Sequence, residues 1–277
     1  MKKIGMIIPD GTNQYFSSLA QNFQKELAKQ KNALIVIDSS NSKSHEISNI
    51  ELFESIDIQG LIFISVGDNG DAYLKLNSLS IPLLILDREI PNGNADFLIN
   101  DDSYGIKDGL RYLTSLNHKR IAFITGDLDT EPGRVRLESY KEWFKENNTF
   151  ELFEDLIYEG DFMIGTGITI ANKIIELDIK NRPTAIFASN DIMAIGLLFE
   201  LQKNGFNVPR DFSILGYDDI LFSSWIYPKL STIKQDIVDI ARTGVELLIN
   251  RIDGRHRNKK IIIINPSLVS RESTLKL

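Results

Sequence analysis

The chain has 277 residues, 43% of them hydrophobic and 25% charged, with no cysteine and a formal charge of -7. That is the balance of a globular protein with a sizeable core, and the absence of Cys excludes disulfides and thiolate chemistry. An acidic chain without a basic stripe has no electrostatic footprint for nucleic-acid phosphates, so tight DNA binding by this segment alone is not expected.

No apolar run reaches the roughly 18 residues of a membrane span, and strand-like sequence begins at Lys3, leaving no room for a signal peptide. A cytoplasmic protein with no membrane contact is the expectation. Short apolar runs alternate with amphipathic stretches, the signature of strand-helix units around parallel sheets. The first series is Ile4 to Ile8, Leu34 to Ile37, Leu61 to Ser65, Leu83 to Leu86 and Phe97 to Ile99. In it, Phe16, Leu19, Ala20, Phe23 and Leu27 recur at helical spacing and predict one buried helix face.

A second series follows with Ile121 to Thr125, Ile157 to Glu159, Ala185 to Ala188 and Ser213 to Gly216. The apolar positions from Ile237 to Ile252 then predict a long helix stopped by Gly254. Two doubly wound parallel sheets make two α/β lobes with a ligand cleft between them, because one sheet of about ten strands would curl or split. The expected division is 1–102 plus 236–264 for the N-terminal lobe and 103–235 plus 265–277 for the C-terminal lobe.

Ligands of open α/β sheets bind beyond the carboxyl ends of the strands. There this sequence places Asp10, Asn13, Tyr15 and Phe16, then Asp87 and Arg88, then Phe162, Asn190 and Asp218, with Arg136 opening one helix and Gln235 preceding another. Carboxylates, guanidinium groups and amides pair hydroxyls as donors or acceptors, and aromatic rings cover an apolar ring face, so the set suits a polyhydroxylated sugar. Each residue also has a plainer reading. Asp10, Asn13, Asn190 and Asp191 suit helix N-caps, Asp87 with Arg88 an exposed ion pair, Phe16 and Phe162 ordinary core, and Arg136 a helix surface.

Enzyme and metal signatures are weak. His45, His118 and His256 lie in polar segments without metal-ligand spacing and read as surface residues. Gly165, Thr166 and Gly167 resemble half of a phosphate loop but lack its third glycine. No nucleophile elbow and no Walker lysine are present, so neither catalysis nor a cofactor is expected.

Several strings carry a resemblance that spans the chain: IGMIIPDGTNQYF from Ile4, NHKRIAFITG from Asn117, GRVRLESY from Gly133, YEGDF from Tyr158, PTAIFASNDIMAIG from Pro183, VPRDFSILGYDD from Val208, LSTIKQD from Leu230 and VSREST from Val269. In this order they resemble the effector-binding part of LacI/GalR transcriptional repressors, which share the periplasmic-binding-protein-like I fold. That resemblance puts Asn13, Phe16, Asp87, Arg136, Phe162, Asn190, Asp218 and Gln235 on effector contacts. With Arg88, and with Tyr15 where a Phe is usual, the set is similar to ribose-binding pockets, so ribose or another pentose is the implied effector. Gln14 stands where the family often has Pro and Asp102 where it usually has Asn.

The family implies a homodimer, for which the apolar stretch Phe222, Trp225, Ile226 and Tyr227 is a candidate contact; packing beneath its own lobe is the alternative. It implies operator DNA bound through a helix-turn-helix, and none stands ahead of Lys3 in this sequence. The rival on the same fold is a solute-binding protein that delivers a sugar to a transporter.

Overall fold

Apolar runs that become central strands are buried on both faces, and the computed structural model, which describes residues 1–87, 90 and 94–277, shows this most plainly in the strands GLIF and LLIL. The chain divides into two units. The N-terminal unit comprises Met1–Asn100 and Asp236–Ile264, and the C-terminal unit Asp101–Gln235 and Asn265–Leu277. The boundary expected after Asp102 therefore falls after Asn100, because Asp102 is tied to Arg136 and Tyr217 of the C-terminal unit.

The N-terminal unit carries β1 (Lys3–Ile8), α1 (Gln14–Lys29), β2 (Ala33–Asp38), α2 (Lys43–Ser55), β3 (Gly60–Phe63), α3 (Gly70–Ser78), β4 (Leu83–Leu86) and β5 (Asp96–Asn100). The C-terminal unit carries α4 (Asp102–Ser115), β6 (Ile121–Ile124), α5 (Glu131–Glu146), β7 (Ile157–Tyr158), α6 (Ile164–Glu176), β8 (Ala185–Ala188), α7 (Asp191–Lys203), β9 (Ser213–Asp218) and β10 (Ser231–Lys234). The chain then returns to the first unit with α8 (Ile237–Ile252) and β11 (Ile261–Ile264), and ends in the second with β12 (Ser267–Val269).

The strand orders are β11-β5-β4-β3-β1-β2 and β12-β10-β9-β8-β6-β7. All neighbouring pairs are parallel except β10 with β12. Each order reverses once, between β1 and β3 in one unit and between β6 and β8 in the other. These reversals are topological switch points, where loops diverge and leave a crevice beyond the strands' carboxyl ends.

Helix α1 buries Tyr15, Leu19, Ala20, Phe23 and Leu27, while Phe16, expected on that face, is only partly buried. The buried face instead takes in Tyr15, which lies four residues before Leu19 and so one turn above it. The return of α8 to the N-terminal unit depends on Gly244, where a Cβ would lie 2.8 Å from the Phe23 ring. The short strands β10, β11 and β12 were not among the predicted runs.

Glycines Gly165 and Gly167 belong to α6, and only the second is a close-packing residue. A Cβ on Gly167 would lie 2.0 Å from the Met193 carbonyl oxygen of α7, and one on Gly196 2.2 Å from that of Ile164. Gly165 has open space around it. Gly167→Ala is therefore expected to cost about 1–3 kcal/mol by overpacking, whereas Gly165→Ala should be neutral or stabilising by up to about 1 kcal/mol. Urea unfolding of the two variants checks this contrast, and equal effects would refute the packing role.

Candidate functional site

In the C-terminal unit the polar residues expected at strand ends come together around Arg136. This side chain rises from the second turn of α5, whose start is set by Thr130 accepting from the Gly133 amide and by Pro132 in the first turn. Arg136 is 5% exposed. It donates from Nη1 to the Ser189 carbonyl at 2.6 Å and from Nη2 to Asp102 Oδ1 at 2.9 Å, with Asp218 Oδ1 at 4.0 Å. Its guanidinium lies 3.8 Å from the Tyr217 ring centroid and 5.9 Å from that of Phe162. Tyr217 donates its hydroxyl to the same Asp102 oxygen at 2.7 Å.

Each neighbour is held by local structure. Asn190 caps α7 by accepting from the Met193 amide at 2.9 Å, and its Nδ2 donates to the Phe162 carbonyl at 2.9 Å. Phe162 itself has φ 66°, a left-handed backbone, and its ring approaches so closely that a Cβ on Gly126 would sit 1.9 Å from Cζ. Gly126 follows β6, and Asn190 follows β8, so both stand at the switch point of this sheet. Gln235 donates to Asp218 Oδ1 at 2.7 Å, and Asp218, at the end of β9, has φ 111°.

Burial sets the electrostatics. It pushes the Asp218 carboxyl well above the usual range, with Asp191 and Asp102 adding to the rise and Arg136 opposing it. Burial opposes the charge on Arg136, yet Asp102, Tyr217 and Asp218 together raise its pKa further. Two polar atoms of this cluster, Arg136 Nε and Ser189 Oγ, are buried without a hydrogen-bond partner. Buried polar groups are normally paired, so these two atoms retain hydrogen-bonding capacity that the protein itself does not use.

In the N-terminal unit the expected residues again stand at strand ends. Asn13 follows β1 and accepts from the Tyr15 amide at 3.0 Å. Tyr15 is buried and Phe16 partly so, their rings edge-to-face at 5.2 Å. Asp87 follows β4 with φ 72°. Asn100, not anticipated from sequence, ends β5 with a buried Oδ1 that has no partner. Arg88 lies outside the described residues.

Three plainer expectations are corrected. Asp10 is not an N-cap but accepts from the Thr12 amide and hydroxyl at 2.8 and 2.6 Å. Asp191 is not a cap either; it is the first residue of α7, fully buried, and accepts from Ser223 Oγ, Thr232 Oγ1 and the Ile220 amide. Of the histidines read as surface residues, His45 is exposed, but His118 is buried between Thr184 Oγ1 and the Leu275 carbonyl, and His256 pairs with the buried Asp96. Burial lowers the His118 pKa, with the Leu275 bond opposing. Among the described residues no group of three His, Cys, Asp or Glu forms a metal cluster, and no helix is long and apolar enough to cross a membrane.

Comparison with known proteins gives the family of the chain. The model of a periplasmic binding protein-like domain matches residues 110–274. The transcriptional repressor PurR of Vibrio atlanticus is 29% identical over 276 residues, covering 99% of this chain and 81% of that repressor, and PurR of Aliivibrio salmonicida is 27% identical over 277 residues, covering 100% and 82%. A LacI-family regulator of Enterococcus faecium solved with bound ribose superposes with TM-score 0.85 at 27% identity over the whole of both chains. The dimeric Lac repressor shares the fold with TM-score 0.88, at 24% identity over 99% of this chain and 98% of that one. The chain belongs to the periplasmic binding protein-like domain family and is a LacI-family effector-binding domain.

Proposed function

We propose that this domain senses a small carbohydrate, ribose or another pentose first among them, and controls DNA binding by a LacI-family repressor without catalysing a reaction. The observation that carries the reading is the buried guanidinium of Arg136, which has an unpaired Nε, donates to the carbonyl of Ser189, whose hydroxyl is also unpaired, and stands 4.0 Å from Asp218 Oδ1. A sugar hydroxyl both donates and accepts, and so pairs an orphaned N–H and a carboxyl oxygen together in either charge state of the acid. Asn190, Gln235 and Phe162 are proposed to complete the contacts of the C-terminal unit, and Asn13, Tyr15, Phe16, Asp87 and Arg88 those of the N-terminal unit. The ribose carried by the Enterococcus faecium relative supports this ligand class.

The name of the PurR relatives points instead to a purine. The partly exposed rings of Phe16 and of Phe162 are the proposed stacking faces for such a base. Isothermal titration with ribose, other pentoses, hexoses, adenine, guanine and hypoxanthine separates the two. One-to-one binding of a pentose is the expected result; binding of a base with no heat from any sugar overturns the carbohydrate assignment.

The effector acts by its differential affinity for the conformations available to the domain. DNA contact is assigned to a helix-turn-helix head in a homodimer working in the cytoplasm, after the pattern of the lac repressor dimer solved on operator. The proposed dimer contact includes the loop after β9, where Phe222, Trp225 and Tyr227 are 47%, 70% and 84% exposed while Ile226 packs into its own core. Exposed aromatic clusters of this kind mark protein interfaces.

A further inference from the structure

The end of α8 and the residues that lead from it to β11 break the charge pattern of the chain. From Arg251 to Lys260 the sequence reads RIDGRHRNKK, in which five Arg and Lys residues stand against the single Asp253, within a protein of formal charge -7. Part of this segment, together with the end of α3, the loop to β4 and Asn94, lines a cavity of about 400 Å³, open to one side, in the N-terminal unit. Its polar lining is Asn77, Ser80, Asn94, Arg251, His256 and Arg257, and its apolar wall runs from Leu79 to Leu83.

Two of the lining groups are fixed by a buried carboxylate. Asp96, with no exposed surface, accepts from Arg251 Nη1 and the Lys260 amide, each at 2.9 Å, and faces His256 Nε2 at 2.7 Å. Arg251 Nη2 also donates to the Asn94 carbonyl and Oδ1 at 2.8 and 2.7 Å. The side chains of Arg251 and His256 keep only 8% and 10% of their surface. This is a built wall, not a chance meeting of mobile side chains.

The wall has unused binding capacity. With Nε2 turned to Asp96, His256 Nδ1 is buried and has no hydrogen-bond partner. Arg257 is exposed and has no ion-pair or hydrogen-bond partner among the described residues. Asp96 offsets one positive charge, that of Arg251, so the Arg257 charge is left for something else. Such a cavity, with an uncommitted guanidinium at its edge and an orphaned ring nitrogen in its wall, fits an anion bearing two or more charged oxygens.

We propose that this cavity is a second ligand site, distinct from the Arg136 cluster, for a small phosphorylated or polycarboxylate metabolite. Arg257 supplies the long-range attraction and a forked pair of donors, and His256 an orienting hydrogen bond, while Arg251, neutralised by Asp96 and tied to Asn94, fixes the wall that carries them.

Isothermal titration of the whole chain with sodium pyrophosphate and, separately, with citrate tests the proposal, at constant ionic strength set with chloride. Saturable one-to-one binding of either probe is expected, and the tighter of the two identifies phosphate or carboxylate as the natural chemistry. Arg257→Ala should weaken it at least about tenfold, the loss of a charged hydrogen-bonding partner. Arg242→Ala removes an exposed arginine paired with Asp239 elsewhere on α8, and should leave it unchanged. Heats that never saturate, or equal losses in both variants, overturn the proposal, as does binding of a DNA duplex through Arg257 when neither small anion binds.

Discussion

Arg136→Ala is expected to abolish effector binding and to lower the stability of the chain by about 3–5 kcal/mol, the usual cost of removing one partner from a buried ion pair. The side chain is the common partner of the Ser189 carbonyl and of Asp102, lies against Asp218, and covers the Tyr217 ring. Its loss leaves Asp102 and Asp218 at 8% and 6% exposure without a counter-charge. The Asp218 carboxyl, whose rise on burial Arg136 opposes, would then be pushed further up. Binding and folding therefore have to be separated. Arg136→Lys keeps a positive charge but not the planar fork, so it should fold while losing about ten- to a hundredfold in affinity for whichever ligand the titration panel identifies. Urea unfolding and calorimetry read the two effects independently. A folded Arg136→Lys protein with unchanged affinity would remove Arg136 from the binding site.

The architecture was legible because central strands and amphipathic helices write their burial into local sequence. Leu83 to Leu86 is an uninterrupted apolar run because β4 lies inside the sheet, and Ile237 to Ile252 shows its stripe because one face of α8 packs on α1. Polar residues at strand ends were also visible, since the strands' carboxyl ends can be counted from the sequence. What was hidden depends on distance along the chain. Asp102 and Tyr217 are 115 residues apart, and nothing local shows that a second acidic residue at a helix start will be spent on an arginine and a tyrosine. His118 looked exposed because its neighbours Asn117 and Lys119 are polar, yet Thr184 and the Leu275 carbonyl, far along the chain, receive its ring. Strands β10 and β12 have four and three residues and take their order from neighbouring strands, which periodicity cannot reveal in so few positions.

From about pH 4 to about pH 7 the stability of the chain is expected to fall as pH rises, with Asp191 as a principal source. Burial raises this carboxyl from 3.8 to about 7, against hydrogen bonds from Ser223, Thr232 and the Ile220 amide that oppose the shift. In that window the unfolded chain has released the proton and the folded chain still holds it, so the folded state binds more protons and stability declines with increasing pH. Below the window both states are protonated, and above it both are ionised, so the contribution is flat on either side. A difference of about three pH units corresponds to about 4 kcal/mol across the window. Asp191→Asn removes the titration, and its urea midpoint should change less between pH 4.5 and pH 7.5 than that of the parent chain. Equal pH dependence in the two proteins would exclude Asp191 as the source. The fold tolerates both charge states because the Ser223 and Thr232 hydroxyls, which donate to the carboxylate, can turn to accept from the acid. Ser223 lies in the loop that exposes Phe222 and Trp225, and Asn190, the residue before Asp191, holds the Phe162 carbonyl. Residues 190 and 191 thus tie the Arg136 cluster to the aromatic loop through adjacent side chains. A ligand that displaces Asn190 would act directly on the residue that anchors the proposed dimer contact.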